Sequence, residues 1–343
     1  MQDFDGRTRG EAPCQNKTRP MRTAIESLWT SKGLGAWLLS PLAGLYRLGW
    51  TTYLGIYKLG LKKAYVPTVP VVVVGNLTAG GSGKTPVVIA LAEGLQACGV
   101  KVALGASGYG SPAQHEAQVA PEGPLNAAEW GDEPTLLRHR LPAVPMIIGR
   151  DRVAAAKLAE THFPDHLLLM DDGFQHLRLK PGASLLIEPD LPNDFCFPAG
   201  PYREPKSLGH PRATAIIRYG KDVHRQPLSF VGIDGEPVDP PSEVIALCAI
   251  AHPSRFLASL REAGVTIRHE AIYTDHDPLS HAGLWDTLPA GLPVLVTEKD
   301  FVKLRARPDL GVRELVVARL SVRIDNLDAL MDQLRAAARP SHS

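Results

Sequence analysis

Cysteine is scarce. Four residues, Cys14, Cys98, Cys196 and Cys248, stand far apart in a chain of 343. No Cys-x-x-Cys pair exists, which argues against a zinc site or a disulfide framework. Reduced thiols of a cytosolic chain are the default. Aromatic residues make up only 6%, and no internal repeat or low-complexity tract is present. The first 20 residues lack the apolar core of a signal peptide. Residues 1–22 read as a disordered extension, with Met21 as an alternative start. Charge of one sign is not in excess: 37 Lys and Arg face 36 Asp and Glu, a net of +1. Without a global basic field there is no reason to expect nucleic acid as a partner, and nothing calls for an obligate protein partner.

What remains is the composition of a folded globular protein, 44% hydrophobic and 21% charged. Its length suggests about two domains. The charge is uneven. Residues 1–66 carry ten basic and four acidic side chains, a net of +6, and the other 277 carry a net of −5. A basic leader on a mildly acidic body points to an anionic surface as its partner.

Within residues 23–66, a long stretch between Lys32 and Lys58 holds Arg47 as its only charge. A spanning helix needs about 20 apolar residues. This stretch reaches that length only by including Arg47, and Pro41, Gly44 and Gly49 interrupt it. At 100° per residue, Arg47, Lys58 and Lys62 share one side of a helix, with Leu45, Gly49, Thr52, Ile56 and Leu59 opposite. Three of five Trp and four of eight Tyr fall here. Basic residues and aromatics beside an apolar face read as a helix in a membrane interface. The alternatives are a helix packed on the protein's own core, or a true span.

Residues 70–75, Pro-Val-Val-Val-Val-Gly, predict a buried parallel strand. The run from Asn76 to Thr85 follows, and then a helix over 87–97 with Pro86 in its first turn. Strand, glycine loop, Gly-Lys-Thr and helix form the context of a phosphate-binding loop. Thr78, Ala79, Gly80, Gly81, Ser82, Gly83, Lys84 and Thr85 are the nucleotide-binding candidates. Backbone N–H groups and the helix N-terminus favour phosphate. Lys84 can reach the β- and γ-oxygens, and the Thr85 hydroxyl can hold Mg²⁺. Thr78 occupies the place where the usual pattern has its first glycine. An ordinary strand-to-helix turn is the competing reading. A second strand over 166–170 ends in Asp171-Asp172-Gly173. Carboxylates at a parallel strand's carboxyl end can support Mg²⁺; otherwise they cap the next turn.

Strands over 100–104, 144–148, 184–187 and 214–217 and a helix over 151–160, with Asp151 in its first turn, continue the alternation. The expected fold is a P-loop NTPase-like α/β sheet domain over 67–225. Residues 219–243 are rich in Pro, Gly and charge and mark a boundary. A smaller α/β domain is expected over 226–343, with strands at 244–250, 265–269 and 293–297 and helices at 253–263 and 279–288.

Several motifs stand in order: VVVVGNLTAGGSGKTP at 71–86, GYG at 108–110, GDEP at 131–134, GRDR at 149–152, DDGFQH at 171–176, AGPYREP at 199–205, DH at 275–276 and TEKD at 297–300. Over about residues 24–320 the chain resembles the tetraacyldisaccharide 4'-kinase family of lipid A biosynthesis. The resemblance implies ATP and Mg²⁺ as cofactors and a lipid A precursor glycolipid as acceptor. It also implies a peripheral or monotopic place on the cytoplasmic face of the bacterial inner membrane, with that anionic surface as partner. Asp132 matches the family's catalytic aspartate and His276 the histidine that pairs with it; the plainer reading has Asp132 cap a helix over 133–139. Lys84 completes the catalytic set, with Thr85, Asp171 and Asp172 for the metal. Tyr109, Arg150, Arg152, Gln175, His176, Arg203 and Glu204 are carried over as substrate-binding candidates. Ser107 stands where the family has Arg, and Asp277 where it has a second His. The alternative function is a membrane-associated P-loop ATPase switch.

Overall fold

In a computed structural model of the chain, residue 29 and residues 31–81 and 83–339 are described. The expected extension 1–22, including Met21, and Ser82 of the glycine loop lie outside them.

The leader forms one helix, α1 (Leu34–Lys58). It runs through Pro41, whose missing N–H leaves the Trp37 carbonyl without a helical donor; the Ser40 hydroxyl supplies one at 2.8 Å. The helix has three sides rather than the expected two. Ala36, Ala43 and Leu54 are buried, and Leu39 and Tyr46 pack on the core beside them. Leu34, Leu38, Leu42, Leu45 and Leu48 form an exposed apolar face opposite. Arg47 and Lys58, both exposed, flank the buried side, about 140–160° round the helix from Leu45, and Arg47 donates to Ser207 Oγ at 3.4 Å. Part of the aromatic set serves packing: Trp29 Nε1 donates to Pro198 O at 3.2 Å, and Tyr46 donates to Arg203 O at 2.8 Å. Among the described residues, no helix is long and apolar enough to cross a membrane.

The valine run forms β1 (Val71–Gly75), buried at every position, and leads into α2 (Lys84–Ala97). Strand β2 (Val102–Ala106), the short β3 (Gln118–Val119), helix α3 (Asp132–Arg140) and β4 (Met146–Ile148) follow. Next come α4 (Arg152–His162), β5 (Leu167–Asp171), β6 (Ala183–Glu188) and β7 (Ala215–Arg218). These seven strands make one sheet, ordered β3-β4-β2-β5-β1-β6-β7. Every pairing is parallel except β3 with β4. Covering helices on both faces explain why β1, β2, β5 and β6 are buried at every position. Asp151 precedes α4 rather than joining its first turn, and its carboxylate accepts from Val153 and Ala154 N–H as the N-cap.

A short strand, β8 (Val223–Arg225), leaves this domain. Strand β9 (Ser229–Val231), β10 (Glu243–Cys248), α5 (Pro253–Glu262), β11 (Thr266–Ile272), β12 (Val294–Thr297), α6 (Glu298–Leu304) and β13 (Leu315–Arg319) build a second sheet, ordered β11-β10-β12-β13-β9. The helix expected over 279–288 does not form. Leu279 (φ 53°) and Gly283 (φ 68°) adopt left-handed backbone, which breaks an α-helix, and only a 3₁₀ turn over Leu284–Thr287 remains.

The chain then returns. Strand β14 (Val322–Ile324) pairs antiparallel with β8, and α7 (Leu327–Ala338) lies on the first domain. Met331 and Leu334 join the same core as Leu91 and Leu95 of α2. A Cβ on Gly94 would stand 2.8 Å from Met331 Sδ, so the glycine permits this close approach. Residues 322–338 therefore pack with the P-loop sheet and not with the rest of the unit expected over 226–343.

Candidate active site

Beyond β1 the loop is held from within. Asn76 is fully buried, and its side-chain amide donates to Thr78 O (2.9 Å) and Thr78 Oγ1 (3.1 Å). Thr78 is buried and its φ is not positive. The turn there needs no glycine, which accounts for the departure at the first loop position. Ala79 N donates to Pro201 O at 2.8 Å. Gly83 does require its identity: its φ is 74°, and a Cβ would meet the Tyr219 hydroxyl at 2.6 Å. Lys84 and Thr85 are the first two residues of α2. Lys84 Nζ lies 3.3 Å from Asn76 Oδ1 and 3.8 Å from Asp172 Oδ2. Asn76 is thus a site residue that the motif reading passed over. Its signal was a polar residue directly after the buried valine strand.

The two carboxylates after β5 differ in environment. Asp171 is buried, and its Oδ1 meets no hydrogen-bond partner among the described residues. Burial, with Glu133 nearby, pushes its pKa up to about 7. Asp172 takes left-handed backbone (φ 54°). Burial pushes its pKa up, but Lys84 and Arg203 outweigh that and hold it below the usual carboxylate range. Arg203 binds Asp172 Oδ1 at 2.8 Å and Asn76 Oδ1 at 2.7 Å. Glu133 lines the cleft one residue after Asp132.

Three substrate candidates make structural contacts within the protein, although Arg152 also borders the cleft. Arg152 is 2% exposed. Its guanidinium donates to Asp171 O (2.6 Å), to Asp172 O and to Gly149 O (3.4 Å). It holds the carboxylate turn from behind. Glu204 is fully buried and pairs with Arg212 at 2.6 Å. Gln175 donates to Glu204 (3.1 Å) and to Asn76 O (2.9 Å), bracing the loop. Tyr109, Arg150, His176 and Arg203 line the cleft. Burial, and then Arg152, lower the His176 pKa.

From the second domain, His276 faces this loop. Its Nδ1 lies 3.1 Å from Asp132 Oδ2, although 144 residues separate them in sequence. Asp132 is the first residue of α3 and Gly131 (φ 90°) is the N-cap. The carboxylate therefore turns to His276 and does not cap its own helix. The Tyr109 ring meets the imidazole edge-on, with centroids 6.0 Å apart. Ser107 accepts from Tyr109 N at 3.3 Å. Asp277 accepts from Leu279 N at 2.8 Å and lies 2.9 Å from His281 Nε2, so it organises the loop that carries His276. A cleft of about 740 Å³ is lined by Lys84 and Thr85 of the first domain and by His276 of the second, with Glu133 beside Asp132 at its border. That volume suits a nucleotide.

The fold and the cleft define a P-loop phosphotransferase, with a second α/β domain facing its phosphate loop. Residues 35–339 match the model of the tetraacyldisaccharide-1-P 4'-kinase family, and the chain belongs to that family. It is 38% identical over 312 residues to the tetraacyldisaccharide 4'-kinase of Verminephrobacter eiseniae, covering 83% of this chain and 70% of that one. The enzyme of the same name from Halorhodospira halophila is 36% identical over 297 residues, covering 83% and 89%. Among solved structures, LpxK from Aquifex aeolicus in complex with ATP superposes with a TM-score of 0.75 at 26% identity, covering 88% of this chain and 99% of that one.

Proposed function

We propose that this chain transfers the γ-phosphate of ATP to the 4'-hydroxyl of a tetraacylated glucosamine disaccharide 1-phosphate, forming lipid IVA. The observation that carries the reading is the Asp132–His276 contact opposite the phosphate loop, in a chain of this family. An ATPase switch would leave that pair without an acceptor to act on, and the family does not favour it.

Each residue then has a task. The backbone of residues 78–85 cradles the phosphates, and Lys84 sets its charge against the β- and γ-oxygens. Such a preorganised cation in a confined site is worth several kcal/mol where negative charge develops. Asp132 takes or orients the proton of the sugar hydroxyl, and His276 fixes the carboxylate that does so. Tyr109, Arg150, His176 and Arg203 face the acceptor and phosphate side of the cleft. Arg152, Gln175 and Glu204 hold the loop and the carboxylate turn in position.

The residues fit a Mg²⁺ ion. Thr85 offers a hydroxyl, and the buried, unpartnered Asp171 Oδ1 beside Asp172 offers carboxylate oxygen. Among the described residues no cluster of three or more His, Cys, Asp or Glu forms a cation cage. When bound, the ion supplies positive charge against the phosphate oxygens.

A lipid acceptor requires an enzyme that reaches a bilayer surface. The leucine face of α1 and its basic residues suit the cytoplasmic face of the inner membrane. The test of the reaction is labelled ATP with the purified disaccharide acceptor. Label at the 4' position is expected, and Asp132→Ala should lower kcat by about 10²–10⁴. Free phosphate without labelled glycolipid would refute the reading.

A further inference from the structure

The TEKD motif at 297–300 has no task in the scheme above. Thr297 Oγ1 caps α6, accepting from Asp300 N at 3.1 Å and donating to Asp300 Oδ2 at 2.7 Å. Asp300 Oδ1 lies 2.8 Å from Lys303 Nζ, and the two side chains are 0% and 2% exposed. A buried ion pair is a poor source of stability, because the desolvation of two charges offsets their attraction. Its geometry here suggests another use. Lys303 Nζ also donates to Asp277 O (3.0 Å) and to Ala249 O (3.4 Å). Asp277 directly follows His276.

His276 itself stands in left-handed backbone, φ 63°. A non-glycine residue keeps such a conformation only where its surroundings over-determine it. Arg307 adds two bonds from the same side, to Leu279 O (2.7 Å) and His281 O (3.2 Å). The loop bearing the imidazole is therefore fastened at three carbonyls by two cations.

Resting on the Asp132–His276 reading, we propose that Lys303, with Arg307 beside it, is a positioning residue that sets the His276 ring against Asp132. The Thr297–Asp300 cap aims Lys303, and Lys303 fixes the carbonyl after His276. Neither cation needs to touch substrate. The same helix is tied to the other half of the pair. Glu298 receives Arg140 at 3.2 Å, and Arg140 ends α3, the helix that begins with Asp132. Helix α6 thus braces both partners.

The experiment uses the full chain with the glycolipid acceptor. The double variant Asp300→Asn/Lys303→Met removes both charges, so no lone charge stays buried; Arg307→Gln loosens the loop without touching that pair. Each is measured alone and combined with His276→Ala, with Tm, kcat and KM for ATP as readouts. A displacement of about 1 Å can cost on the order of a hundredfold. A kcat loss of about tenfold or more is expected for each, with KM for ATP within about twofold. Combined with His276→Ala, either change should cost less than about twofold further, because it acts through that ring. A general structural defect would instead multiply with His276→Ala, and that result overturns the proposal. So does a parent-like kcat in a folded Arg307→Gln protein or a folded double variant. If His276→Ala alone turns over at the parent rate, the Asp132–His276 reading itself falls.

Discussion

Leu38 and Leu45 sit on the exposed face of α1, at 80% and 66% exposure. Together they present about one and a half fully exposed leucines. Burying one leucine is worth about 2 kcal/mol, so Leu38→Ser/Leu45→Ser should cost about 3 kcal/mol of membrane transfer, on the order of a hundredfold in vesicle partitioning. Arg47, Lys58 and Lys62 contribute about 1 kcal/mol each near anionic lipid. The two effects match in dilute buffer, but salt separates them. At about 1 M the screening length falls to about 3 Å, and the cationic share fades while the leucine share stays. The assay is sedimentation with vesicles of anionic phospholipid at low and high salt. The parent should weaken but stay bound at high salt, and the double serine variant should be released there. Turnover on detergent-dispersed acceptor should change little, since neither leucine lines the cleft. Parent-like sedimentation of the serine variant at both salt levels would rule out the leucine face as a membrane contact, as would complete release of the parent by salt alone.

Lys84→Ala should leave the fold intact and lower turnover at least about a hundredfold; parent-rate activity would remove the phosphate-loop assignment. His276→Ala should harm kcat less than Asp132→Ala, and the double variant should be no worse than the worse single. Losses that multiply would mean the two residues act separately. His139 sits at the contact between the domains, its ring 5.6 Å from that of Phe301. Burial, and then Arg305, Arg319 and Arg140, lower its pKa from 6.5 to about 4. Between those values the unfolded chain binds a proton that the folded chain refuses, so stability falls as pH drops from about 6.5 to about 4. His139→Gln should flatten Tm against pH across that window, and an unchanged slope would exclude this residue.

Short-range chemistry made the nucleotide end legible. A valine run, a glycine loop and Lys84-Thr85 define their own geometry within a few residues, and the structure keeps them together. Asp132 and His276 could be joined only through the family resemblance, because nothing local to either residue points across 144 positions. What sequence could not distinguish was direction. Arg152 and Glu204 belong to charged motifs, and charge alone does not tell a side chain facing a cleft from one buried beneath it. Likewise α1 has leucines on two sides. A helical-wheel reading finds apolar and basic sectors, but only tertiary packing decides which apolar sector meets the core. Leu279 does not continue a helix because Asp277 takes its N–H locally while Arg307, distant in sequence, holds its carbonyl.

The return of the chain through β14 and α7 has a consequence for folding order. Helix α2, whose first turn carries Lys84 and Thr85, is packed by α7, about 230 residues later. The P-loop domain cannot close its core during synthesis until the whole second domain has emerged, whereas residues 229–319 hold all five strands of their own sheet. The pairing of α2 with α7 is a contact of long sequence separation, the kind that forms slowly. The second domain is thus placed to fold first, and the phosphate loop to acquire its rigid backing last.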